Sequence, residues 1–207
     1  MEPYLTIAGR GMEEFEVKHS RFLCYTAPVT TTAEAEAFIA EIRQKHWDAR
    51  HNVPVYVLRG GIQHSSDDGE PQGTAGRPAL GVLLAQEVTD CCVVITRYFG
   101  GVLLGTGGLV RAYSQGASAA IRAAGLLRME PVYNVRIKCD YTLYGRIPAL
   151  TAELSGTAAD TDFADIVTAD ILLPTDKFET LSARIMEMSS GTCIPEITGE
   201  EYRKVPV

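Results

Sequence analysis

No apolar run in the 207 residues approaches the roughly 18 that a membrane-spanning helix needs, which excludes a helical membrane protein. Cys-x-x-Cys is absent. The five cysteines stand at 24, 91, 92, 139 and 193, an odd and scattered set that predicts neither a disulfide framework nor a zinc site. Free thiols in a reducing cytoplasm are the plain reading. The opening MEPYLTIAGRGMEEF lacks a basic stretch ahead of an apolar one, so no secretory signal is expected. No Gly-Lys-Ser/Thr follows a glycine-rich turn, and no Gly-x-Ser-x-Gly elbow occurs. His19, His46, His51 and His64 are not spaced as ligands on one helix face. Basic excess is missing too: the net charge of −7 argues against a general nucleic-acid coat.

Two stretches stand out against this background. SSDDGEPQGTAGRP (65–78) sets Asp67, Asp68 and Glu70 among glycines and prolines, and RYFGGVLLGTGGLVRAYSQG (97–116) holds six glycines in twenty residues. Charge is also uneven along the chain. Residues 71–129 carry 5 basic and 2 acidic groups, whereas 1–70 and 130–207 have net charges of −4 and −6. The one positive stretch contains the glycine loop, so a local anion site is compatible with an acidic protein.

The pattern predicts extended chain over 12–29, then a helix over 32–46 with Ala35, Phe38, Ile39 and Ile42 on its apolar face. A strand over 53–58, a loop over 60–73 and a helix over 74–87 follow, the last with Thr74 as N-cap and Pro78 in its first turn. Cys91–Thr96 is a continuous apolar run, as in a strand buried on both faces. A helix over about 107–125 has an inner stripe of Leu109, Ala112, Tyr113, Gly116, Ala117, Ala120, Ile121 and Ala124, small enough to lie close on a sheet. Gly125 and Pro131 mark a boundary between domains 1–128 and 129–207. Beyond it the order is strand (132–139), helix (141–155), strands (157–163 and 166–173), helix (175–189) and strand (193–202), the βαββαβ order of a ferredoxin-like domain.

Strand, glycine turn and helix amino end together form a known kind of anion site. Arg97, Gly100, Gly101, Gly105, Thr106, Gly107, Gly108 and Arg111 are the candidates, with both arginines reaching one anion. The plain alternative is a tight connection that lets a small-residue helix pack. His51, Asp67, Asp68, Glu70, Thr74 and Arg77 are candidate lining residues. The carboxylates are expected to form a solvated turn, or to pair through Asp68 and Glu70 with Arg97 or Arg77, in preference to holding a metal. No metal or cofactor is expected. The adjacent Cys91 and Cys92 are read as packing residues.

The stretches KHSRF (18–22), DARHN (48–52), DDGEPQGTAGRP (67–78) and VVITRYFGGVLLGTGGLVRAY (93–113) resemble the Impact/YigZ family. The resemblance covers about 15–125, and the rest looks like the small second domain of bacterial members. It implies an α+β fold: a two-layer α/β sandwich like the second domain of ribosomal protein S5, followed by a ferredoxin-like domain. It also implies a link to translational control, and it carries over no catalytic residues. The leading expectation is a cytoplasmic, translation-associated protein holding RNA phosphate or a nucleotide, with a ribosome or translation factor as partner and no membrane. The rivals are an enzyme for a small phosphorylated or carboxylate substrate, with Asp68 or His51 moving a proton, and a protein-interaction module with structural loops.

Overall fold

After a short first strand, β1 (Tyr4–Ile7), the chain forms a hairpin of β2 (Gly11–Val17) and β3 (Ser20–Pro28). Val17 pairs with Ser20, and the two residues between them, Lys18 and His19, have φ of 47° and 65°. That is the left-handed backbone of a two-residue type I′ turn, whose twist matches the strands it joins. The extended chain expected over 12–29 is therefore two strands.

The computed structural model describes all residues, Met1–Val207, and the chain divides into two compact units. One comprises Tyr4–Arg128 with Pro206–Val207, and the other Met129–Val205 with Met1–Pro3. In the first, β4 (His51–Leu58), β5 (Ile62–Ser65) and β6 (Cys91–Tyr98) complete an antiparallel sheet of order β2-β3-β6-β4-β5. β5 lies inside the stretch predicted as loop. It is a four-residue edge strand without alternating polarity, so no period-2 pattern announces it.

Helices α2 (Gly76–Ala85) and α3 (Thr106–Ala124) pack on one face of this sheet. Helix α1 (Thr32–Lys45) covers the other, burying Ala35, Phe38, Ile39 and Ile42 against Leu23, Tyr25, Tyr56, Cys92 and Val94. The sandwich expected from the resemblance corresponds to the α2/α3 layer. The second covered face follows from β6 itself, which is buried from Cys91 through Arg97 and so needs apolar cover on both sides. The close approach of α3 is visible at Gly116, where a Cβ would fall 2.9 Å from Cys24 Sγ. Phe22, fully buried, stacks on Phe15 and meets Tyr113 edge-on, with ring centroids 5.1 and 5.6 Å apart. Such pairs contribute about 0.5–1.5 kcal/mol each beyond their burial. Burial pushes the thiols of Cys24 and Cys91 up to about 12, so both are inert packing groups.

β7 (Leu126–Cys139) starts directly after Gly125 and runs through Pro131, so the strand is longer than predicted and no linker separates the units. Then come α4 (Tyr141–Tyr144), α5 (Ile147–Glu153), β8 (Thr157–Phe163), β9 (Val167–Pro174), α6 (Phe178–Met188) and β10 (Glu196–Pro206). The helix expected over 141–155 is broken at Gly145 and Arg146, with Pro148 opening the second piece. Spatial order β10-β7-β9-β8 with this connectivity is the ferredoxin-like arrangement. Its core is separate, built from residues such as Val135, Ile137, Ile147, Leu173, Leu181 and Ile185.

Candidate functional site

Arg97 is the penultimate residue of β6, whose first five residues are apolar, and it is only 5% exposed. A guanidinium buried this deeply requires a counter-charge, because unpaired burial of an ion costs far more than a fold can absorb. Glu70 supplies it: Arg97 Nη1 donates to Glu70 Oε1 at 2.8 Å. The Tyr113 hydroxyl donates to the same oxygen at 2.7 Å, and Arg97 Nη2 donates to Ser20 Oγ at 3.2 Å. Burial, then the neighbouring Glu70 charge, pushes the Tyr113 phenol upward in pKa and keeps it a donor. The guanidinium also lies between the rings of Phe22 and Phe99, at 5.7 and 5.6 Å.

The other two carboxylates of the acidic loop are committed elsewhere. Asp67 Oδ1 accepts from the N–H groups of Ala75 and Gly76, and Oδ2 from Gly73 N–H. It thereby caps α2 from nine residues away, and Thr74, predicted as the cap, instead donates its hydroxyl to Pro71 C=O. Burial works to raise the pKa of Asp67, but the N–H groups of Gly73, Gly76 and Ala75, helped by Arg77, outweigh it and hold the carboxyl below its usual range. Asp68 accepts from Asn52 N–H at 2.6 Å and from Arg43 at 2.8 Å. The pairing of Asp68 with Arg97 or Arg77 that the sequence suggested is replaced by Arg43, which α1 brings over from the far end of the chain's first helix. Both oxygens of Asp68 are thereby engaged.

His51 and Arg97 face each other across β4 and β6. His51 Nδ1–H donates to Asp68 C=O at 2.8 Å, and its Nε2 lies 3.9 Å from Glu70 Oε1. Gly69, at φ 84°, lets the loop turn directly under this ring; a Cβ there would come within 3.4 Å of Nδ1. Gly100 is constrained more tightly still. A Cβ would lie 2.0 Å from the carbonyl carbon of His19, and Gly100 N–H donates to Ser20 Oγ. Gly101 and Gly105 have φ of 83° and 74°. The four stretches that carry the sequence resemblance thus meet at one place: Ser20, His51, Glu70 and Arg97 contact one another in a chain.

A cavity of about 470 Å³ opens beside this cluster, lined by Arg50, His51, Gly69, Glu70, Pro71, Arg97, Phe99, Leu103, Leu104, Gly105, Thr106 and Leu109. The amino end of α3 forms part of its wall. Gly105 is the N-cap and has no side chain to satisfy the first N–H groups of the helix. Gly107 and Gly108 lie in that first turn. Arg111 is exposed and absent from the cavity wall; its Nη1 lies 3.8 Å from where a Cβ of Gly107 would stand. Arg97 and Arg111 therefore do not converge on the cavity as a pair. Arg77, Asp67 and Gly73 line a different cavity, of about 400 Å³. Sequence reasoning passed over Ser20, Arg50, Phe99 and Leu103. The signal for the last two is their apolar bulk in a glycine loop: Phe99 is 49% and Leu103 81% exposed.

His46 is the other oriented histidine. Tyr25 Oη–H donates to its Nε2, its Nδ1–H donates to Tyr98 Oη, and Tyr98 Oη–H donates to Asp48. Burial, followed by nearby Lys45, pushes its pKa down, and this relay ties α1 to the sheet.

Comparison with known proteins gives the same two parts. Residues 18–121 match the Impact N-terminal domain, and 137–192 match a domain of unknown function, DUF1949. The chain is 36% identical over 197 residues to IMPACT family member YigZ of Escherichia coli, covering 93% of this chain and 96% of that one. It is 34% identical over 193 residues to IMPACT family member YvyE of Bacillus subtilis, covering 92% and 89%. Protein IMPACT of Bos taurus matches over 95 residues only, at 32% identity, 42% of this chain and 29% of the relative. A crystal structure described as that of a hypothetical protein superposes with a TM-score of 0.61 at 34% identity, over 96% of this chain and 98% of the other. No helix is long and apolar enough to cross a membrane. With both domains matched in order and relatives aligned along almost their whole length, the chain belongs to the IMPACT family.

Proposed function

We propose that this is a translation-associated binding protein that holds single-stranded RNA across the mouth of the 470 Å³ cavity, with a backbone phosphate at the amino end of α3. The translational setting comes from the family resemblance. The RNA reading rests on one observation: a single cavity wall joins the exposed Phe99, the exposed Arg50 and the uncapped amino end of α3. Aromatic faces stack bases, and helix amino ends with nearby arginines hold phosphates. Arg97 adds no net charge, because Glu70 neutralises it. The attraction falls to Arg50 and Arg111. Anisotropy of a labelled single-stranded oligonucleotide tests this. Binding should weaken steeply between 50 and 200 mM salt, and Arg50→Ala and Arg111→Ala should each weaken it and flatten the salt slope by about one. Absence of salt-dependent RNA binding by the folded protein would refute the reading.

One observation favours a second reading, an enzyme for a small phosphorylated or carboxylate substrate. His51 is held by Asp68 C=O with Nε2 3.9 Å from Glu70 Oε1, and it lines the cavity together with the amino end of α3. Turnover of such a compound, lost in His51→Asn while RNA affinity is unchanged, would put this reading first.

A further inference from the structure

The cavity wall carries few polar atoms, and most are already used. Glu70 Oε1 is taken by Arg97 and Tyr113, and two of the three guanidinium nitrogens of Arg97 are taken by Glu70 and Ser20. The third, Arg97 Nε, is a buried donor with no acceptor. That nitrogen is closed to solvent, so it offers nothing at the cavity surface. The cross-strand neighbour of Arg97, His51, also lines the cavity. Because a carbonyl can only accept, His51 Nδ1 carries the hydrogen of its bond to Asp68 O, which leaves Nε2 as the ring nitrogen without a partner. At 3.9 Å from Glu70 Oε1, that atom has no hydrogen bond within the protein.

His51 Nε2 is therefore the ring nitrogen left for a ligand, beside the mutually paired Glu70 and Arg97. Around it stand Pro71, Phe99, Leu103, Leu104 and Leu109. A ligand that suits this wall is flat and apolar on its faces, with a hydrogen-bonding group on its edge. Nucleobases have that construction, and proteins read unstacked RNA bases on such edges while stacking them on aromatic rings. The volume of about 470 Å³ is within the range of small-ligand pockets.

We infer that the cavity takes one unstacked nucleobase of the bound strand, read on its edge by His51 and stacked against Phe99. The inference rests on the RNA reading above and adds to it a site for the base, distinct from the phosphate contacts of Arg50, Arg111 and α3.

The experiment compares single-stranded ribo-oligonucleotides with an abasic ribose-phosphate chain of the same length, at one salt concentration. The base-bearing strands should bind about tenfold more tightly than the abasic chain, the scale of one stacked base. Phe99→Ala and His51→Asn should each erase most of that difference and leave the salt slope unchanged. Asn at position 51 keeps a donor for Asp68 C=O but removes Nε2, so a loss reports on the ligand and not on the loop. Equal binding of abasic and base-bearing chains, or variants that keep the wild-type ratio, would overturn the base pocket while leaving phosphate binding intact. Failure of every chain to bind, the abasic one included, would overturn the RNA reading and this inference together.

Discussion

Glu70→Gln removes one charge from the centre of the cluster and almost nothing of its shape. The carboxylate is 2% exposed and its partner guanidinium 7%. In the variant, Arg97 keeps its positive charge at the same depth, facing an amide, and the Tyr113 hydroxyl loses an ionised acceptor. Breaking a buried ion pair from one side costs about 3–5 kcal/mol, because the remaining charge is left uncompensated. The amide oxygen still accepts a hydrogen bond, so the lower end, about 3 kcal/mol, is expected. In urea melts followed by circular dichroism, with a slope of about 1–3 kcal/mol per molar, the first unit's midpoint should fall by about 1–3 M. The double change Glu70→Leu with Arg97→Met removes both charges together and should recover most of the loss, since apolar replacements of buried pairs are often neutral. A Glu70→Gln midpoint within about 0.3 M of wild type would show that Arg97 does not depend on Glu70, and the account of the cluster would fail.

Gly100→Ala should destabilise the fold by about 3 kcal/mol or more, because its Cβ would strike the backbone of His19, whereas Gly101→Ala, with open space around it and only a positive φ to resist it, should cost about 1 kcal/mol in the same melts. Asp67→Asn should weaken the protein most near neutral pH. The folded-state pKa of Asp67 is lowered, so its contribution is present above the unfolded value of about 3.9 and is lost as pH falls through the folded one. The stability difference between wild type and Asp67→Asn, measured by urea melts at pH 7 and pH 3, should therefore shrink on acidification; a difference that grows would refute the capping role.

What the sequence disclosed was what local pattern encodes. The inner stripe of α3 is legible because Leu109, Ala112, Tyr113, Gly116, Ala117, Ala120, Ile121 and Ala124 recur at helical spacing; the first seven are buried and Ala124, at the helix end, is half-buried. The ferredoxin-like order is legible for the same reason. The pairing of Glu70 with Arg97 could be named only as one option among several, because it joins positions 27 residues apart and is settled by the register that sets His51 opposite Arg97. Arg43, Asp68 and Asn52 show the same limit: α1, the acidic loop and β4 meet through tertiary packing, which no spacing rule encodes. Thr74 failed as a cap because a stronger, ionised acceptor, Asp67, returns from the loop to the same N–H groups.

The amino ends of α2 and α3 differ in a way that neither glycine content nor net charge discloses. Both follow glycine-rich turns, and both offer N–H groups that attract an anion. At α2 the chain supplies its own anion, Asp67, and closes the site to others. At α3 the capping position is Gly105, which has nothing to supply. The acidic loop could have served both ends, but Glu70 neutralises Arg97 and accepts from Tyr113 further along α3, while Asp68 ties the loop to Arg43 and Asn52. The carboxylates thus hold the loops together and leave one helix end, beside an apolar cavity with an exposed aromatic, without a side-chain acceptor.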